Sequence, residues 1–474
     1  TPPAGKTQLR VVPALGGAER LLAEVAAPPA YTSAWHTCLA WTPDGKWLIG
    51  PNLRLVSAET GEGRLLIPRA GVRGWDLDPA LSPDARTLAF VRRLDHGISD
   101  VYLLRLSADL QAVGEPQRLT FENREVSSPV WTPDGREIVF SSGKIYSERR
   151  LLRVRATPPA NPAAYRPDLT TFGDGAFTLA LSRDGRRLAY AREIWDSNIY
   201  RFQLSGPAGR SRAPEKLIAS TGLDHAPEYS PDGREIAFVS TRSGTEEIWA
   251  ADADGSRPRQ LTAMGGPVTA NPRWSPDGRT ILFDSRREGS ADLYLISPSG
   301  GYARRLTDHP GYEGEARFSR DGRWIYFHSA RSGRRELYRM PAAGGDPVQV
   351  TRNGGGPAYE SPDGKWIYYG KGAGLWKVPA GGGEESKVLE SLSYPFNFVV
   401  VEEGIYFIPG AAEFLGTQPL RLEFHDFASR KTRLILQTDK LLYFGLSLSP
   451  DRRWIVFSQF DQAGSDLMLV ENFR

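Results

Sequence analysis

Cysteine is almost absent. The single Cys38 closes no internal disulfide, and without a CxxC pair there is no framework for zinc or dithiol redox chemistry. Charge of one sign is missing too: 59 Lys and Arg against 56 Asp and Glu leave +3, with both signs interspersed, which argues against nucleic acid as a partner. No apolar run approaches the roughly 18 residues of a transmembrane helix, and the N-terminus lacks the basic-then-apolar order of a signal peptide. Turn formers and aromatics are plentiful: 49 Gly and 36 Pro among 474 residues, with 12 Trp, 18 Tyr and 20 Phe. That aromatic content excludes a disordered chain, and that many turn formers argue against a helical bundle. An all-β protein remains. Its opening, Thr1-Pro2-Pro3 followed by Leu9-Arg10-Val11-Val12, enters a repeat in mid-unit, so a fragment with targeting and effector parts upstream is expected.

The repeat is marked by turn tetrapeptides: Thr42-Pro43-Asp44-Gly45, Ser82-Pro83-Asp84-Ala85, Thr132-Pro133-Asp134-Gly135, Ser182-Arg183-Asp184-Gly185 and Ser230-Pro231-Asp232-Gly233. It continues through Ser275-Pro276-Asp277-Gly278, Ser319-Arg320-Asp321-Gly322, Ser361-Pro362-Asp363-Gly364 and Ser449-Pro450-Asp451-Arg452. Successive Asp positions lie 40, 50, 50, 48, 45, 44, 42 and 88 residues apart, and a degenerate unit at Glu402-Glu403-Gly404 fills the last gap. That makes ten units and an initial half unit. Each unit reads as four short strands; Ile236-Ala237-Phe238-Val239, Glu247-Ile248-Trp249 and Gln260-Leu261-Thr262 are three of one unit. Four strands per 40 to 50 residues is one blade of a β-propeller.

Units such as 228–262 and 273–307 resemble the WD40-like PD40 repeats of the TolB family, which also occur in propellers of tricorn-like and prolyl-oligopeptidase-like proteases. The Gly-His and Trp-Asp marks of true WD40 repeats are missing. The opening Val12-Pro13-Ala14-Leu15-Gly16-Gly17-Ala18-Glu19-Arg20, the middle Val126 to Phe140 and the close Gly464 to Arg474 resemble C-terminal propellers of an acidobacterial-type group. In that group a winged-helix transcriptional regulator domain or a serine/threonine kinase domain precedes a membrane span. The resemblance implies an extracytoplasmic or periplasmic sensor.

Ten units exceed the four to eight blades of one ring. The expected arrangement is a truncated first propeller over 1–214 and a six-bladed second one over 215–474, one large ring being the alternative. In the second ring the last unit supplies Leu446 to Leu448, Trp454 to Phe457 and Asp466 to Val470, and Glu215-Lys216-Leu217-Ile218 supplies the missing outer strand.

No Gly-x-Ser-x-Gly elbow, His-Glu-x-x-His or phosphate-binding glycine loop occurs, so no catalytic residue is assigned and neither cofactor nor metal is expected. The Asp252-Ala253-Asp254-Gly255 string lacks the later Glu of a calcium loop and reads as a hairpin turn. His225 and His309 precede innermost strands, near a channel mouth, and share no spacing across units. Glu228, Arg273 and Arg317 hold one position in three successive units, which reads either as an inter-blade ion-pair ladder or as a channel for an anionic or peptide ligand. Tyr31 and Trp35, in an irregular segment, read as rim anchors for a partner or as a plug of the first blade. The reading is a non-enzymatic sensor that binds a protein, peptide or cell-envelope fragment. The alternatives are a periplasmic TolB-like scaffold, a channel-metal polysaccharide lyase or glycosidase, and the accessory propeller of a peptidase.

Overall fold

The computed structural model describes residues 6–13, 16–26, 39–68, 74–95, 97–122, 124–144, 147–170, 172–204, 213–266, 268–410 and 419–473. Among them the regular structure is β-strand, with two single 3-10 turns at Pro51–Leu53 and Pro162–Ala164. The all-β reading and the four-stranded antiparallel blades hold.

Each turn is built by its own four residues. In the unit at 230, Ser230 Oγ donates to Asp232 Oδ1 at 2.6 Å and accepts from Glu235 N at 3.0 Å, while Asp232 Oδ1 accepts from Arg234 N at 3.1 Å. Gly233 closes the turn in the left-handed region at φ 70°, a conformation that costs glycine nothing. The Ser230 hydroxyl, with the Arg234 amide next, holds the Asp232 carboxyl below its ordinary range. Beyond the turn, period-two alternation sends side chains to opposite faces. Along Glu235–Ser240, Ile236 and Phe238 join a core with Ile199, Ile218 and Val456, whereas Ala237 and Val239 join one with Ile281 and Phe283.

Contacts divide the chain into two compact units, Thr1–Ile194 with Gly464–Arg474, and Trp195–Ala463. The first holds the pair Lys6–Val11 and Arg20–Ala26, three four-stranded sheets between Ala40 and Leu169, and a sheet begun by Ala176–Leu181. The second holds six four-stranded sheets. Four are made of consecutive strands from Asp224–Tyr229 to Ser386–Leu389, and a fifth begins with Phe398–Val400 and ends with the first part of Thr432–Leu448. The sixth joins the end of Thr432–Leu448, the start of Trp454–Glu471, the end of Arg187–Gln203 and Glu215–Ile218. Each inner strand of this unit lies beside the next, and Asp224–Tyr229 lies beside Thr432–Leu448, so the six close a ring. Tyr229 N donates to Ser447 Oγ at 3.2 Å across that closure.

Two details differ from the sequence reading. The division falls at 194/195 and 463/464 rather than at 214/215. In the sixth sheet the third strand is the end of Arg187–Gln203, not Asp466 to Val470, because Arg187–Gln203 and Trp454–Glu471 run straight through where hairpins were expected. Leu204 N bonds Arg453 O at 2.9 Å in the second unit, and Phe473 N bonds Arg186 O at 2.9 Å in the first.

Candidate functional site

The inner strands of the second unit carry one equivalent position, two residues before each turn serine. Going round, it holds Ser447, Glu228, Arg273, Arg317 and Tyr359, paired with Val456, Ala237, Leu282, Tyr326 and Tyr368. In the degenerate unit Val399 pairs with Tyr406. The same position in the first unit holds Ala40, Ala80, Val130 and Ala180. The blade therefore has no need of charge here. A small apolar residue satisfies the packing, so the Glu-Arg-Arg-Tyr run is a departure from the repeat.

These side chains meet. Glu228 accepts from Arg273 Nη1 at 3.4 Å on Oε2 and from Arg317 Nη1 at 3.1 Å on Oε1. Arg273 Nη1 also donates to Pro272 O at 2.9 Å. The Arg317 guanidinium lies 4.3 Å from the centre of the Tyr359 ring, and Tyr359 packs against Phe398 at 5.9 Å. Arg273 is only 7% exposed, and burial together with the charge of Arg317 pushes it down to about 10. One carboxylate thus faces two guanidiniums.

A cavity opens among these groups, lined by Asn271, Arg273, Arg317, Tyr359, Phe396 and Phe398 together with Glu315, Pro357 and Ala358. Its volume is about 10 Å³, room for about one water. Glu315 is already committed, accepting at 3.0 Å from His328 Nδ1. Burial alone would raise its carboxyl, but His328, Arg335 and Tyr312 outweigh that and hold it down to about 2.

Asn271 and Glu315 sit at φ 57° and 55°, on bulges that interrupt the register just before Arg273 and Arg317. Asp284 spans both, its Oδ1 accepting from Asn271 Nδ2 at 2.8 Å and from Glu315 N at 3.0 Å. That carboxylate locks two neighbouring inner strands behind the arginines.

The other sequence candidates lie apart from this cluster. His225 is buried edge-on against Tyr443 at 4.9 Å and Phe444 at 6.1 Å, with Glu246 Oε1 3.6 Å from Nε2. His309 Nδ1 accepts from Gly311 N at 2.9 Å, a bond internal to its own loop. No group of three or more His, Cys, Asp or Glu placed to hold a metal occurs among the described residues. Tyr31 and Trp35 lie outside the described residues. Sequence reading missed Tyr359, Phe398 and the Glu315–His328 pair; counting two back from every turn serine finds the first. The arginines after two of the second strands tie back to the innermost strands of their blades: Arg242 holds Asp224 at 2.9 Å, and Arg331 holds Glu313. Glu247 and Glu336, on the third strands, accept from Thr262 at 2.6 Å and Thr351 at 2.7 Å.

Residues 265–379 match the sequence profile of PD40, described as the TolB beta propeller domain. An uncharacterized peptidase, YuxL of Bacillus subtilis, is 30% identical over 195 residues, covering 40% of this chain and 24% of that protein. The Tol-Pal system protein TolB of Bordetella pertussis is 32% identical over 145 residues, 30% of this chain and 31% of that one. The chain thus spans about a quarter to a third of these two curated relatives. A solved structure of a putative TolB from Agrobacterium tumefaciens superposes with a TM-score of 0.48 at 20% identity, over 56% of this chain and 99% of that one. Among the described residues no helix is long and apolar enough to cross a membrane. Over residues 265–379 the chain is thus similar to the TolB beta propeller domain, and the turn tetrapeptides and four-stranded sheets repeat the same propeller-type blade on both sides of that segment.

Proposed function

We propose that the chain is a non-enzymatic binding module, an extracytoplasmic propeller that recognises a protein, peptide or cell-envelope fragment and serves as the sensor region of a membrane-bound regulator or kinase. One observation carries the binding reading. The position two residues before the turn is Ala or Val throughout the first unit and becomes Glu228, Arg273, Arg317 and Tyr359 in the second. Buried charge costs several kcal/mol per ion unless fully compensated, and a ladder kept for stability alone gains little over apolar residues of similar volume. Recognition of a ligand accounts for the expense. The similarity to a Tol-Pal system protein supports the extracytoplasmic location and favours, as a second reading, a scaffold role in the cell envelope.

The test is panning of two random-peptide libraries, one displayed with free C-termini and one with free N-termini, on the immobilised full chain. The wild type is expected to enrich a sequence family. The Arg273→Ala, Arg317→Ala double variant, matched for unfolding midpoint, is expected to lose at least about tenfold of that enrichment, the order expected when charge-assisted contacts are removed. No enrichment, or equal enrichment by the variant, rejects the reading.

A further inference from the structure

The ring of equivalent positions is not uniform: it has a polar arc and an apolar arc. Ser447, Glu228, Arg273 and Arg317 form the first; Tyr359 and Val399 form the second, with Phe398 beside them. The cavity lies where the arcs meet. Its lining runs from Arg273 and Arg317 to Tyr359, Phe396 and Phe398.

The guanidiniums at this junction are under-used. Each carries five N–H donors. Arg317 makes one hydrogen bond, from Nη1 to Glu228, and Arg273 makes two, both from Nη1. Nε and Nη2 of both residues find no acceptor among the described residues. Asn271 and Glu315, the other polar groups of the lining, are engaged by Asp284 and His328. An anion entering the cavity would thus meet two forks whose remaining N–H donors no acceptor among the described residues holds, with a single carboxylate, Glu228, already between them.

Resting on the binding reading, we propose that this junction is a receptor for the C-terminal carboxylate of a peptide whose last residue is apolar or aromatic. The carboxylate bridges Arg273 and Arg317, and the terminal side chain lies against Tyr359, Phe396 and Phe398. A planar carboxylate matches the guanidinium fork bidentately, and Glu228 occupies part of that place in the free protein. Glu228 holds Nη1 of both arginines in the free protein, so an incoming carboxylate competes with it for them, and Glu228 acts as an internal competitor.

Calorimetric titration of the full chain with N-acetyl-Ala-Ala-Phe, its C-terminal amide, galacturonate and inorganic phosphate tests this. The free acid is expected to bind at least tenfold more tightly than the amide. Arg317→Met is expected to lose at least tenfold in affinity, and Arg317→Lys serves if that variant does not fold, since it keeps charge and stem but not the fork. Tyr359→Leu is expected to lose affinity for the Phe-ended peptide while changing the preference for acid over amide less than twofold. Glu228→Gln, which keeps volume and removes the competing charge, is expected to tighten the acid at least threefold. Equal binding of acid and amide, or weaker binding by Glu228→Gln, overturns the inference while leaving the binding reading to the library result. Galacturonate or phosphate binding as tightly as the peptide acid overturns the peptide assignment. Binding of none of the four probes overturns the inference, and enrichment confined to the free N-terminus library does the same while upholding the binding reading.

Discussion

Asp284 is 1% exposed and accepts its two hydrogen bonds on one oxygen, Oδ1, so its carboxylate has little solvent around it. Burial is the largest influence on it and outweighs the nearby Arg286, the Asn271 amide and the Glu315 backbone N–H, so its carboxyl is pushed up from 3.8 to about 6. In the folded state the proton is therefore held to higher pH than in the unfolded chain. Between about 4 and about 6 the folded form binds more protons, and stability falls as pH rises through that window. Asp284→Asn keeps an acceptor oxygen for both bonds and removes the titration. Relative to the wild type it is expected to gain stability as pH climbs through the window, by on the order of 3 kcal/mol, with a constant difference below and above. Guanidinium unfolding at a series of pH values reads this directly. A difference that is flat across the window, or that moves in favour of the wild type as pH rises, shows that the bonds to Asn271 and Glu315 need the charged form.

The strands close the second unit at a point of very close approach. Gly445, in Thr432–Leu448, takes φ 105°, and a Cβ there would lie 2.5 Å from Ala226 Cα and 2.8 Å from Pro227 Cδ. Both obstacles are parts of the neighbouring inner strand, Asp224–Tyr229, so they yield only if the two strands separate. Gly445→Ala is expected to cost about 2 kcal/mol or more, read as a lowered unfolding midpoint. A variant as stable as the wild type would mean that the closure is looser than this geometry. The same strands show what the sequence made legible. Ser-Pro-Asp-Gly turns located the blades and the position of Glu228, Arg273 and Arg317, because the turn chemistry is local. It did not show which strand follows Trp454 to Phe457. A hairpin at Asp461 to Asp466 and a straight strand with exchanged partners keep the same alternation and nearly the same ladder bonds, so the local pattern is equally satisfied by both. Tyr359 went unread for a different reason: an aromatic ahead of a turn resembles a packing residue, and only the register of its neighbours marks it as part of the ring of equivalent positions.

The exchange of partners decides how much of the molecule the site needs. Every strand of the six-sheet ring lies within Trp195–Ala463, including the end of Arg187–Gln203 and its neighbour Glu215–Ile218. The ends of that segment are tied together by Asp461, which accepts from Asn198 Nδ2 at 2.6 Å and from Tyr200 Oη at 2.5 Å and pairs with Lys216 Nζ at 2.5 Å. A fragment of residues 195–463 is therefore expected to unfold in one cooperative transition and to bind the peptide acid within about threefold of the full chain, less than the roughly tenfold that 1.4 kcal/mol would produce. A fragment begun at Glu215, where the sequence reading drew its boundary, keeps an outer strand but has lost the third strand to which it pairs. Its sixth sheet is left with an unpaired edge beside the closure, and it is expected to aggregate or to show no cooperative transition. If instead the fragment from 215 folds and binds as well as the fragment from 195, strand Arg187–Gln203 is dispensable to the ring. Failure of both fragments would mean that the second unit depends on the first for its stability, and the domain boundary would have to be given up.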